Sequence, residues 1–187
     1  MNELPVQKPS EAMQRLTAAV AAERAAQAAQ AVAILDLAKE ADWLEGAEFD
    51  MIGHRPIRIA ADDTLLVDET LPLEVAALTG TSVASATSLI RDVVNLESRH
   101  AHAWEAVVEG RVALWRARQL ASVAEQFGLG YGECLLVDST IAPLLGTVGW
   151  GRVMARYRAA IIEVAPDKVA AANANSRADR HVRFSTT

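Results

Sequence analysis

The chain has 187 residues, enough for one domain with a hydrophobic core of its own. Its 18 Lys and Arg are outnumbered by 24 Asp and Glu, and the net charge of −6 opposes nonspecific attraction to nucleic-acid phosphates. The single cysteine, Cys134, excludes an intrachain disulfide and a cysteine-based zinc site. The N-terminus lacks a signal-peptide pattern and no apolar run reaches the roughly 18 residues of a spanning helix, so we expect a cytoplasmic protein without a membrane segment.

Charge is distributed unevenly along the chain. Residues 1–90 carry 6 basic and 14 acidic side chains, residues 91–150 carry 5 and 7, and residues 151–187 carry 7 and 3. Any surface that contacts phosphates is therefore expected beyond residue 90.

The longest helix candidate lies near the N-terminus, over residues 10–43. Ser10 suits the N-cap, and no Pro or Gly follows until Gly46. Apolar residues recur at helical spacing, but the middle of the segment offers only alanine methyl groups for packing. Packing within the chain, a homodimer with a second copy, and an exposed arm all remain open for this segment, which we assign to residues 1–45.

Residues 46–70 have the composition of a linker, because Gly53 and Pro56 interrupt short apolar runs. Within them, Ile57 and Ile59 flank an arginine in an alternating pattern that indicates a short strand or β-hairpin.

From residue 71 onward the pattern is helical, in short units separated by glycine-containing turns, and residues 181–185 alternate like a terminal strand. The chain is thus predicted to be an all-α multi-helix bundle with a helical domain over 71–187. The predicted helices cover 73–80, 83–97, a short unit through 104–108, 112–127, 131–145, 152–164 and 166–180.

The segment 73–97 has the order of a helix-turn-helix. A short helix precedes a turn at Gly80, and small polar residues begin the second, apolar helix. The side chains that this second helix would present to a DNA major groove are Thr81, Ser82, Ser85 and Ser88. Two packed helices joined by a glycine turn are the alternative interpretation.

Arginines beyond residue 90 are the candidates for phosphate contact. Arg152 and Arg156 share one helical face, which serves equally well as a solvated surface paired with Glu163 and Asp167. The arginines assigned to phosphate contact are Arg91, Arg99, Arg111, Arg116, Arg118, Arg152, Arg156 and Arg158.

The sequence predicts no catalytic residue, no metal site and no cofactor. His100 and His102 diverge on a helix, His54 and His181 are distant in sequence, and we expect the histidines to face solvent or to cap helices. Cys134 lies among leucine and valine and is predicted to be a buried structural thiol. The glycine-rich turns lack the GK[ST] signature of a phosphate loop.

Four segments, taken in order, resemble the domain of unknown function 222 family, the 13E12-repeat proteins. They are Leu78–Ser82, Leu89–Leu96, Val107–Leu114 and Arg177–Phe184, and the resemblance spans roughly residues 30–187. Glu97 and Ser98 stand where the family has Leu-Pro after the second helix. Family members usually continue into a C-terminal HNH nuclease domain, so the resemblance implies a DNA-related protein whose cutting part lies outside this chain.

The sequence therefore predicts a non-catalytic DNA-binding or DNA-positioning module of an HNH nuclease-like protein. The alternative is a helical scaffold whose partner is another protein or a second copy of the chain, which the acidic first half and the alanine-rich helix favour. A cryptic nuclease is a third hypothesis, but it needs clustered carboxylate or histidine ligands that the sequence does not display.

Overall fold

The computed structural model describes residues 10–40 and 55–178, with side chains up to residue 174. Within these residues it contains eight α-helices, a single turn of 3-10 helix and one two-stranded sheet, which confirms the predicted all-α multi-helix fold. The predicted terminal strand at 181–185 lies outside the described residues.

The long N-terminal helix, α1 (Glu11–Glu40), begins where the sequence predicts, because the hydroxyl oxygen of Ser10 accepts a hydrogen bond from the backbone N–H of Met13 at 3.3 Å. Its second half is buried, with Ile34 and Leu35 in the core. Its first half is exposed, and Leu16 keeps 66% of its surface in solvent. The helix therefore combines intrachain packing with a projecting first half.

The described part of the predicted linker forms a short antiparallel ladder between β1 (Pro56–Ile57) and β2 (Val67–Asp68). Ile57 pairs with Val67, and Val67 is buried in the core. Residues 55–70 thus pack against the helices, and Ile59, expected in the same strand, follows it.

Two helices meet at a sharp corner after the ladder. α2 (Leu71–Thr79) ends at Gly80, whose φ of 65° is the left-handed conformation that glycine adopts without steric cost. α3 (Val83–Arg99) begins at Ser82, whose hydroxyl oxygen accepts from the backbone N–H of Ser85 at 3.2 Å. No single described helix has the length and apolar composition to cross a membrane; α2 and α3 reach both only together, and they bend by 106°.

The remaining helices close the bundle. They are α4 (Ala101–Val108), α5 (Leu114–Gln126), α6 (Tyr131–Ile141), α7 (Trp150–Val164) and α8 (Pro166–Ala178). The helix predicted over 131–145 ends at Ile141, because Pro143 has no N–H to continue an α-helix, and residues 142–144 form the 3-10 turn.

Two helix starts are capped by distant side chains. The carboxylate of Asp138 on α6 accepts from the backbone N–H groups of His102 at 2.8 Å and Ala103 at 3.2 Å, which begin α4. The amide oxygen of Gln27 on α1 accepts from the N–H of Leu114, the first residue of α5, at 3.2 Å. Neither helix has a capping side chain of its own, so tertiary contacts fix where both begin.

The core joins α1 to α7 in one apolar cluster, and a buried polar pair lies within it. His100 Nε2 lies 2.8 Å from the hydroxyl oxygen of Tyr157, which donates to the carbonyl oxygen of Leu120 at 3.2 Å. The expectation that His100 faces solvent is therefore wrong, because its ring lies inside the core against Tyr157 and the carbonyl oxygen of Asn95. His100 does stand at a helix boundary, as the C-cap residue of α3 and the N-cap residue of α4, but its side chain makes no capping hydrogen bond. Burial lowers the pKa of His100 and raises that of Tyr157.

Candidate nucleic-acid interface

The α2–α3 corner has the geometry of a helix-turn-helix. The bend of 106° lies within the roughly 90–120° of that motif. Thr81, Ser82 and Ser85 are exposed and Ser88 is half-buried, so the four predicted base-contacting residues lie at the accessible start of α3. Ser82 and Ser85 also hydrogen-bond to each other through their hydroxyls at 2.9 Å.

A groove between α5 and α7 reaches α3 at the buried Asp92. Ser85, Ser88 and Asp92 follow i, i+3, i+7 spacing and so lie on one side of the helix. Asp92 lines the groove and accepts from Arg118 Nε on α5 at 2.7 Å. This α5–α7 groove has a volume of about 390 Å³, and its lining residues are Asp92, Trp115, Arg118, Gln119, Ser122, Val123, Met154 and Arg158.

Aromatic and basic side chains occur together at this groove. Trp115 keeps 51% of its surface exposed, and the guanidinium carbon of Arg116 lies 5.1 Å from the centroid of its ring. Arg152 and Arg158 are exposed on α7, and neither has an ion-pair partner among the residues whose side chains are described. Arg118 and Arg158 are the two predicted phosphate contacts that the groove brings together.

Arg111 and Arg156 are held by partners within the chain. Arg111 donates to Glu109 and to the carbonyl oxygen of Leu145, and Arg156 Nη1 donates to Glu163 at 2.9 Å, the pairing considered for a solvated face. These two side chains lie outside the groove.

Arg91 and Arg99 line a second pocket of about 370 Å³ beside α3. Arg91 Nε lies 3.6 Å from Glu125, and Arg99, whose side chain is only 13% exposed, donates to Asp63 and to the carbonyl oxygen of Leu129. The hydrogen bond from Arg99 lowers the pKa of the Asp63 carboxyl. Arg99 is thus directed into the protein, and sequence patterns gave no sign of it because Asp63 lies 36 residues earlier.

Cys134 is buried, as the sequence predicts, at the inner wall of the same pocket. Burial raises the pKa of its thiol, which keeps it protonated at neutral pH and a weak nucleophile. In the described part of the chain, no group of three or more His, Cys, Asp or Glu side chains is arranged to hold a metal ion.

Three apolar side chains are exposed at the corner. They are Leu73, Leu78 and Val83, and Leu78 is 78% exposed. Residues 71–90 contain no Lys or Arg and only one acidic residue, Glu74. This segment therefore supplies no cation for a phosphate contact.

No protein-family model, curated protein or solved structure matches this chain.

Proposed function

We propose that this chain is a non-catalytic module that binds or positions DNA for an HNH nuclease-like protein. The observation that carries the proposal is the α5–α7 groove, which holds Trp115 and Arg158, together with the accessible serines at the start of α3. Arg158 has no ion-pair partner among the side chains that the structure describes. The ordered resemblance to the domain of unknown function 222 family supports the same function.

The serines of α3 and the arginines of α7 have different roles in the proposal. Ser85 and Ser88 are short and uncharged, so they contact base edges and contribute little to affinity. Affinity comes instead from cations that contact phosphates, chiefly Arg152 and Arg158, because neither pairs with a carboxylate among the side chains that the structure describes. Arg91, Arg99, Arg111 and Arg156 are less suited to phosphates, since each already holds an acidic partner.

Salt dependence provides the test. Two or three phosphate contacts predict that affinity for a duplex of about 20 base pairs falls roughly 10- to 40-fold between about 50 and 200 mM salt. Fluorescence anisotropy with a labelled duplex measures this slope directly.

A double variant identifies the responsible arginines. Arg152→Gln with Arg158→Gln should reduce the salt slope by about 2. Arg15→Gln is the matched control, because Arg15 is exposed on α1 and pairs only with its neighbour Glu11. Absence of duplex binding at about 50 mM salt contradicts the proposal.

A protein-docking scaffold is the second candidate, and the exposed apolar side chains of Leu73, Leu78 and Val83 favour it. The exposed first half of α1, with Met13 and Leu16, favours a second copy as the partner. In that case sedimentation shows a dimer that Leu16→Glu or Leu78→Glu dissociates, while neither variant changes the salt slope of DNA binding.

A further inference from the structure

Trp115 offers a planar apolar surface at the α5–α7 groove. Trp115 is among the residues that line the groove, whereas Arg116, whose guanidinium carbon lies 5.1 Å from the centroid of the indole ring, is not. Arg116 therefore does not fill the groove beside Trp115. With 51% of its surface exposed, Trp115 offers a surface on which a planar ring can stack.

Polar groups follow Trp115 along the same side of α5. Gln119 and Ser122 lie four and seven residues after it, so all three line the groove. Trp150 Nε1, which can only donate, donates to the amide oxygen of Gln119 at 2.8 Å and thereby fixes the orientation of that amide. Gln119 is left with N–H donors, and Ser122 with a hydroxyl that both donates and accepts.

The floor and rim of the groove complete the site. Val123 and Met154 supply apolar surface, and Arg158 supplies an exposed cation. Arg118 is already neutralised by Asp92 at 2.7 Å, so Arg158 is the charge available to a ligand. The volume of about 390 Å³ lies at the small end of the roughly 300–1,000 Å³ of ligand sites.

The geometry points to a pocket for one unpaired nucleobase, stacked on Trp115, with its edge on Gln119 and Ser122 and a flanking phosphate on Arg158. The inference rests on the proposed function and specifies its substrate as nucleic acid with a single-stranded or extruded nucleotide. A paired base cannot occupy the pocket, because both of its faces are covered by its neighbours in the stack.

Three probes test the inference: a single strand of about 12 deoxythymidines, the equivalent RNA, and a fully paired duplex of about 20 base pairs. Trp115→Ala should weaken single-strand binding roughly 5- to 100-fold, the loss expected for one base–aromatic stack, and leave duplex affinity within about twofold. Trp115→Phe should retain most of the affinity, because a phenyl ring still stacks.

Tyr131→Ala is the matched control. Tyr131 is exposed to the same 51% as Trp115 but lies outside the groove, so its loss should not change binding to any probe. Arg158→Gln should reduce the single-strand salt slope by about 0.7. Tryptophan fluorescence gives a second measurement: the single strand should quench the wild type, and Trp115→Phe should lose that quenching.

The outcomes separate this inference from the function beneath it. Equal single-strand affinity and equal quenching in wild type and Trp115→Ala overturn the base pocket, and salt-dependent duplex binding in the same series leaves the proposed function standing. Absence of binding to every probe at about 50 mM salt overturns both. Preference for RNA, still lost in Trp115→Ala, supports the pocket and overturns DNA as the target.

Discussion

Asp138 shows how one buried side chain organises the helices around it. The carboxylate has no exposed surface and accepts two backbone N–H groups of α4 as well as His102 Nδ1 at 3.0 Å. Hydrogen bonds of this kind, with an ionised acceptor, are the stronger ones in proteins. The start of α4 therefore depends on a residue of α6.

Asp138→Ala should lower the free energy of unfolding by about 2–4 kcal/mol, because the N–H groups at the start of α4 lose their acceptor inside the protein. Urea denaturation measures the change. Asp138→Asn keeps one acceptor oxygen and should cost less. Glu105→Ala, at an exposed position of α4, should change the free energy of unfolding by no more than about 0.5 kcal/mol. An equally small effect of Asp138→Ala would contradict the capping role.

His100 makes stability sensitive to mildly acidic pH. Its pKa is lowered chiefly by burial, with Arg99 acting in the same direction and Asp138 against it. The unfolded chain takes up a proton near the ordinary pKa of about 6.5, whereas the folded protein does not until lower pH. Acidification below about pH 6.5 therefore favours unfolding.

His100→Gln should flatten this dependence. Between about pH 6.5 and 5, the free energy of unfolding of the wild type should fall faster than that of the variant, by at most about 1.4 kcal/mol per pH unit. The slope is the readout, because the variant also loses contacts with Tyr157 and is less stable at every pH. Parallel curves would show that the histidine titrates alike in both states.

At the scale of elements, the α2–α3 corner depends on Gly80. Gly80→Ala meets no neighbouring atom, since nothing lies within 4 Å of an added Cβ, but it places an L residue in a left-handed conformation. Unfolding free energy should drop by about 1–2 kcal/mol. Gly80→Asn should lose less stability, because asparagine tolerates this conformation better. Thermal unfolding of both variants measures the two losses. Equal losses would point to a cause other than φ.

Most of the elements could be predicted from the sequence because their ends are local features. Gly80, Gly110, Gly128 and Gly146 all have positive φ, and each was expected to interrupt a helix. The cap of α3 is also a local feature, because the hydroxyl oxygen of Ser82 accepts from the backbone N–H of Ser85, only three residues later.

The candidate site could be predicted less completely. The accessible serines of α3 follow from their position at a helix start, but the partners of the arginines do not. Arg118 meets Asp92 across 26 residues, and Arg99 meets Asp63 across 36. Such pairings depend on how helices pack, and no spacing along the chain records them. The groove beside Trp115 was missed for the same reason, and the sequence does not reveal that Trp115 is 51% exposed, because this residue follows the apolar spacing of its helix.

At the scale of the whole molecule, one core connects the long first helix to the last turns of α7. Buried residues run from Ala28 through Val67 to Ala165 without a separate second cluster among the described residues. Calorimetry should therefore show a single cooperative transition, with equal calorimetric and van't Hoff enthalpies. Two resolved transitions would instead indicate two domains. The boundary would then lie in residues 46–70, which the sequence predicts to be a linker.

The corner and the α5–α7 groove differ in the chemistry of their exposed side chains. The outer side of the corner is apolar and lacks basic residues, whereas the α5–α7 groove joins an indole to arginines. In the proposals above, the corner suits a protein partner, the exposed first half of α1 suits a second copy, and the α5–α7 groove suits nucleic acid.

The cap from Asp138 also orders events during synthesis. The ribosome adds Asp138 36 residues after His102, so the start of α4 leaves the ribosome before the side chain that caps it. Until α6 also leaves the ribosome and docks, the first turn of α4 lacks this acceptor and frays. Nascent chains stalled with His102 outside the ribosome and residue 138 still inside should therefore be cut by proteases near His102, and those stalled after α6 has emerged should resist.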